Sequence, residues 1–253
     1  MALLFLLTAA CTRDSTPQAG GESTAGGAKS PVQSTDSAGR GATSPTSSSS
    51  GAVTGKRARV VILGTSLTAG LGLDPAQAYT TLLQEKADSA GLRVNIVNAG
   101  LSGETSAGAL RRASWVLDQP AEAIVLEVGA NDGLRGVDPD STYANLTALI
   151  SQIRASQPSA RILLVQMEAP TNLGRDYTTQ FHNAYARVAR DAKVPLLPFL
   201  LEGVAGNPRL NQGDGIHPNA EGSRLVANTM WRALRDTFAA LDSGLTTPTT
   251  PRP

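Results

Sequence analysis

Between Ala58 and about Ala240 the chain alternates, five times over, between a short apolar run and a stretch with helical periodicity. The runs are Arg59–Leu63, Val94–Val97, Ala123–Val128, Arg161–Met167 and Val194–Leu197. They are largely unbroken and rich in Val, Ile and Leu, which is the pattern of strands buried on both faces. The stretches between them are Tyr79–Ala90, Ser106–Leu117, Asp140–Ala155 and Tyr177–Ala192. In the third, Leu146, Leu149, Ile150 and Ile153 fall on one helical face. Gly91 closes the first helix. A last helix is expected from Pro218 to about Phe238, with the proline in its first turn, where its missing N–H is not needed. Strands alternating with helices build a parallel sheet covered on both sides, so the expected class is α/β.

In such sheets ligands bind beyond the C-terminal ends of the strands, where the strand order reverses. A flavodoxin-like order, 2-1-3-4-5, is taken by analogy. It makes the domain a three-layer α/β/α sandwich around a five-stranded parallel sheet, with the crevice between strands one and three. Three segments then open on one rim: GTSLTAG after the first strand, NAGLSGETS after the second and GANDGLRG after the third.

Ser66 stands just past the first strand, and N–H groups of the following turn can hold an anion there. These residues alone leave two readings open: a nucleophile, or a cap for the next helix. Attack by serine on an ester also needs a base, a group that orients the base, and donors for the oxyanion. The chain has two histidines. His182 sits inside a helical stretch beside Phe181 and Asn183 and reads as a partly exposed helix residue. His217 stands in DGIHPN, three residues after Asp214. One turn of chain lets Asp214 accept its Nδ1–H and leaves Nε2 free to take the Ser66 proton. Candidate oxyanion donors are the N–H groups of Ser66 and Gly103 and the side-chain amide of Asn131. Glycine at 103 permits close backbone approach to a ligand. Asn131-Asp132-Gly133 taken alone is also ordinary turn chemistry.

GTSLTAG, SGET, GAND and DGIHP, in this order and at these spacings, resemble the four blocks of the SGNH (GDSL-type) hydrolase superfamily. Within it they are similar to the bacterial periplasmic thioesterase I, lysophospholipase and arylesterase group, as are LLPFLLEGV and NDGLRG. The resemblance covers the whole folded domain. It implies an SGNH hydrolase fold, with Ser66 as nucleophile, Asp214 and His217 as its partners, and Ser66, Gly103 and Asn131 as the oxyanion hole. It implies no metal and no cofactor. Thr65 stands where the family has aspartate before the serine, and Ala130 where it has a second glycine before the asparagine. The implied reaction is hydrolysis of aryl esters, acyl thioesters or lysophospholipids through an acyl-enzyme, with carbohydrate O-deacetylation as the alternative. Leu101, Leu134, Asn172, Leu173 and Leu201 lie in loops placed to line an acyl or aryl pocket.

The remaining segments are of another kind. Ala2–Ala10 is apolar or small and ends at Cys11, the only cysteine. This resembles the end of a bacterial lipoprotein signal, and implies export to the cell envelope with a membrane tether at Cys11. Position 8 is threonine rather than apolar and no basic residue precedes the run, so a start upstream of Met1 is expected. Residues 12–57 are Ser, Thr, Gly, Ala and Pro with almost no large apolar side chains, which cannot offset the entropy of ordering, and read as a disordered linker. A flexible coil of ~45 residues reaches roughly 35–40 Å. The tail from Asp242 reads the same way, so the folded domain is expected over residues 58–240.

A net charge of +1, with both signs interspersed, gives no field for nucleic acid. A lone cysteine excludes an intrachain disulfide. A phosphate or nucleotide site on the glycine-rich turn lacks the lysine of a P-loop. A non-catalytic lipid- or glycan-binding module leaves the complete serine, histidine and aspartate set without a purpose. The expected molecule is a monomeric hydrolase of small or lipid esters.

Overall fold

The structure, a computed structural model, describes residues 55–246. The lipoprotein-like run, Cys11 and nearly all of the expected linker lie outside the described residues. In chain order the elements are β1 (Ala58–Gly64), the one-turn helix α1 (Ser66–Ala69), α2 (Tyr79–Ser89), β2 (Val94–Gly100), α3 (Ser106–Val116), β3 (Ala123–Glu127), the short helix α4 (Ala130–Leu134), α5 (Pro139–Ser156), β4 (Arg161–Val165), α6 (Arg175–Ala192), β5 (Leu196–Leu197) and α7 (Ala220–Thr246). Two 3-10 turns occupy Pro75–Gln77 and Thr171–Leu173.

All strand pairs are parallel and the order is β2-β1-β3-β4-β5. Parallel crossovers are right-handed. The chain steps one way from β1 to β2, then reverses and adds β3, β4 and β5 on the other side. Helices after β1 and after the reversal therefore fall on opposite faces. Helix α2 packs with α7 on one face, and α3, α5 and α6 pack side by side on the other. The reversal leaves β1 and β3 adjacent at the centre. Their register sets Gly64 opposite Gly100 on one side and Glu127 on the other.

Val60–Leu63 of β1 and Ile124–Leu126 of β3 have no exposed surface. Each such side chain contributes about 1.5–3 kcal/mol by leaving water. Asp138 caps α5 by accepting from the Asp140 N–H, and Pro139 follows in the first turn. Leu146, Leu149, Ile150 and Ile153 then bury their shared face completely. On α6 the stripe Tyr177, Phe181, Tyr185 has ring centroids 6.0 and 5.5 Å apart.

Among the boundaries that differ from the sequence expectation, four bear on the site or the sheet. Strand β2 runs on to Gly100, because Asn98 finds partners for its amide on the Thr68 carbonyl and the Thr80 hydroxyl. Part of the GANDGLRG segment, expected as loop, is the helix α4. Strand β5 shrinks to Leu196–Leu197, bracketed by Pro195 and Pro198, which have no N–H for a ladder. The last helix starts at Ala220, because Asn219 Oδ1 accepts the N–H groups of Glu221 and Gly222 and so fixes the first turn.

That last helix also continues to Thr246, so the expected boundary at residue 240 and the tail beginning at Asp242 are corrected. Asp242 Oδ1 accepts from Arg93 Nε at 2.7 Å and from the Arg93 N–H at 3.1 Å. Both side chains are about one-fifth exposed. Asp242→Ala is expected to lower stability by about 0.5–1 kcal/mol, seen as a lower urea midpoint with unchanged slope.

Candidate active site

Helix α1 begins where β1 ends. A Cβ on Gly64 would stand 2.6 Å from Oε2 of Glu127 and would overlap the Thr68 side chain, so only glycine lets the chain turn this tightly. Thr65 occupies the N-cap position, but its side chain makes no capping bond. Ser66 is the first helical residue, which sets aside the capping reading of its hydroxyl. It is 8% exposed.

The loop after β5 returns across the molecule to meet it. Gln212 Nε2 donates to the Leu71 carbonyl at 2.7 Å, a bond between residues 141 positions apart. The Gln212 N–H also donates to the His217 carbonyl at 2.7 Å, which closes the turn. This brings the three candidate residues together. His217 Nε2 lies 2.8 Å from Ser66 Oγ, and His217 Nδ1 lies 2.6 Å from Asp214 Oδ2. Asp214 Oδ1 accepts the N–H groups of Ile216 at 2.9 Å and His217 at 3.0 Å. Its bonds to the His217 ring and to these two N–H groups hold the Asp214 carboxyl down at about 2. His182 is elsewhere, on α6, with Nδ1 2.7 Å from Glu168 Oε1 on the surface.

Gly103 adopts φ +78°, a conformation other residues resist. Asn131 lies in the first turn of α4 and is nearly buried. Its Nδ2 donates one hydrogen to the Glu104 carbonyl at 2.9 Å, which fixes the plane of the amide. Beside Ser66 and His217 a narrow hollow is lined mainly by leucines, among them Leu67, Leu71, Leu200 and Leu201, with Tyr79 and Ser223. It is too narrow for more than about one water. Of the loop residues expected at a pocket, Leu201 is in this lining, and Leu101 and Leu134 are exposed. A larger concavity lies between α2 and α7, lined by Glu85, Lys86, Arg224 and Trp231, with no histidine in it.

Residues 62–225 match the model of the GDSL-like Lipase/Acylhydrolase family. The chain belongs to this family. It is 38% identical over 177 residues to Esterase TesA of Pseudomonas aeruginosa, covering 70% of this chain and 87% of that one. It is equally identical, over the same length, to Thioesterase 1/protease 1/lysophospholipase L1 of Escherichia coli K12, covering 83% of it. Among solved structures, the psychrotrophic esterase EstA from Pseudoalteromonas sp., inhibited by monoethylphosphonate, aligns with a TM-score of 0.68 at 34% identity. That alignment covers 72% of this chain and 98% of the esterase. The GDSL-family chain described here is thus a carboxylic ester hydrolase with an SGNH fold.

Several residues around this GDSL-family site were not singled out by the sequence. Asp132, 1% exposed, accepts from the Ser106 N–H at 2.7 Å and from the Ser106 hydroxyl, and so joins α4 to the start of α3. Arg112 donates to Glu104 Oε1 at 2.6 Å and to the carbonyls of Ala99 at 2.9 Å and Gly64 at 3.2 Å. Arg135 donates to the Gly103 carbonyl at 2.9 Å. Together these bonds fix the Gly103 loop against both β1 and α4. Glu127 is wholly buried beneath Ser66. A carboxylate ending the apolar run AIVLE was its sequence signal.

Proposed function

We propose that the chain is a serine esterase that cleaves carboxylic esters or thioesters through an acyl-enzyme on Ser66. The observation that carries this reading is the unbroken hydrogen-bonded line from Ser66 Oγ through His217 to Asp214, at 2.8 and 2.6 Å. Asp214 accepts the Nδ1–H and so leaves Nε2 with its lone pair toward the serine. His217 takes the Ser66 proton as Oγ bonds to the carbonyl carbon, and the carbonyl oxygen gains the charge. The N–H groups of Ser66 and Gly103 and the Asn131 amide receive that charge. Collapse of the tetrahedral adduct breaks the bond to the leaving oxygen or sulfur, which takes the proton from His217. Water, deprotonated by His217, then attacks the acyl carbon and returns Ser66.

The hollow beside Ser66 and His217 is lined mainly by leucines and Val226, with Tyr79 and Ser223 as its other polar side chains. A mainly apolar wall beside the nucleophile supports aryl esters, acyl thioesters or lysophospholipids over acetylated carbohydrate. Phosphonate inhibition of the related Pseudoalteromonas esterase suggests the probe. A fluorophosphonate is expected to add to the wild-type protein once, on the peptide that carries Ser66, and to stop hydrolysis. Labelling elsewhere, or none in a protein that hydrolyses esters, would remove this reading. Relative kcat/KM on p-nitrophenyl acetate through palmitate, an acyl-CoA, a lysophospholipid and acetylated xylan separates the substrate classes.

Asn131→Ala is expected to lower kcat by about 100- to 1,000-fold, the usual loss for one oxyanion donor. KM should change little, since the amide meets charge only in the transition state. Steady-state kinetics on p-nitrophenyl butyrate checks both parts.

A further inference from the structure

We propose that Glu127 is a positioning residue for the reaction: its ionised carboxylate is the acceptor from which the turn bearing Ser66 is hung. The inference rests on the reading of Ser66 as nucleophile and adds a group that no part of the triad or oxyanion hole supplies.

Four donors from two residues converge on this one carboxylate. The Thr65 N–H reaches Oε2 at 2.8 Å, and the Thr65 hydroxyl reaches Oε1 at 2.9 Å and Oε2 at 3.1 Å. The Thr68 N–H reaches Oε2 at 3.3 Å and the Thr68 hydroxyl reaches it at 2.7 Å. Thr65 and Thr68 lie on either side of Ser66 and Leu67. Both ends of the turn are therefore tied to the end of β3, and the backbone between them has one course to follow. That course aims the Ser66 hydroxyl at His217 and its N–H at the site where the oxyanion forms.

Only an ionised carboxylate suits this place. It is acceptor-only and can take all four hydrogens, whereas a carboxylic acid or an amide would turn a hydrogen of its own toward the donors. The arrangement is costly to the fold. No ion pair reaches Glu127 among the described residues. Burial pushes its carboxyl up to about 6 in spite of the bonds from Thr65 and Thr68. The phenols of Tyr79 and Tyr185 are pushed upward too, mainly by burial, with the charge of Glu127 adding at Tyr79 and those of Asp132 and then Glu127 at Tyr185. An apolar residue at the end of a buried strand would stabilise the sheet more. A charge kept there against the demands of folding fits a role in the chemistry above it.

Threonine at position 65 belongs to the same device, because its hydroxyl donates to both oxygens of Glu127.

The test uses the full protein and its labelling at Ser66. Second-order rates of fluorophosphonate addition and kcat and KM on p-nitrophenyl butyrate are measured for the wild type and for Glu127→Gln, Thr65→Val and Thr65→Ser. Expected are a fall in kcat and in labelling rate of about tenfold or more in the first two, and KM within about threefold, because a displaced nucleophile loses attack geometry rather than substrate. Thr65→Ser, which keeps the hydroxyl, should recover most of the rate. A Tm measured alongside separates a merely structural part: a lowered Tm with wild-type kcat per folded molecule would overturn the inference, as would Thr65→Val at the wild-type rate. If Glu127→Gln does not fold, the Thr65 pair decides. A wild type not labelled at Ser66 would instead remove the nucleophile reading itself.

Discussion

Ser66→Ala is expected to lower kcat by about a millionfold, to the background left by binding and the oxyanion donors. The substitution removes one oxygen atom and little else. Ser66 is nearly buried, its Oγ faces His217 Nε2, and the carboxylate of Glu127 bonds its neighbours rather than its own side chain. The fold should therefore survive, with a Tm within a few degrees of the wild type. Because acylation of Ser66 is the covalent step of the proposed mechanism, the variant should also fail to take up the fluorophosphonate. It should still bind ester substrates, since the walls around Ser66 and His217 are untouched. Burst-phase kinetics with a p-nitrophenyl ester gives the sharpest reading: a wild-type burst and none in the variant. Retention of more than about 1% of kcat would require another nucleophile and would end the proposed mechanism. Binding of lysophospholipid by the wild type with no turnover would point to a carrier instead of an enzyme.

The layout of the fold was legible because β1, β3 and β4 each carry an unbroken apolar run, Val60–Leu63, Ala123–Leu126 and Ile162–Val165. Strands buried on both faces must read that way, and the helices between them carry their own period. What was not legible depended on partners far along the chain. Asn98 looks like a strand terminator until Thr68 and Thr80 are seen beside it. The ANDGL segment looks like a turn, and becomes a helix where Gly129 opens it at φ +104° and Gly133 lets Phe181 pack beneath. Residues 241–246 look like the start of a linker, and no local pattern announces that Arg93 holds Asp242 across 149 positions. The site divides in the same manner. Asp214 and His217 are three residues apart, so their relation is local and could be read. Glu127 and Thr65 are 62 positions apart, and their relation exists only once the register of β1 and β3 is known.

Asp214→Asn is expected to lower kcat by about ten-thousandfold while barely moving stability, and the two effects separate orientation from folding. In the proposed mechanism Asp214, 2.6 Å from His217 Nδ1, accepts its hydrogen and so selects the tautomer whose Nε2 can accept from Ser66. An amide of the same shape presents a hydrogen toward Nδ1 in place of a lone pair. The imidazole then carries its proton on Nε2, and Ser66 faces a donor where it needs a base. The stability side follows from the shift at Asp214. Its carboxyl is held down at about 2, so its contribution is present above the ordinary carboxylate range near pH 4 and is lost as pH falls toward 2. At neutral pH that contribution is in place in the wild type, but the side chain is 44% exposed and solvent screens it, which keeps the loss of Tm small. The same shift keeps Asp214 ionised through the whole working range, so an acid limb of kcat/KM near neutral pH cannot be its titration. A variant with kcat within tenfold of the wild type would mean that the His217 ring is oriented by something other than Asp214, and the line of two hydrogen bonds would lose its catalytic meaning.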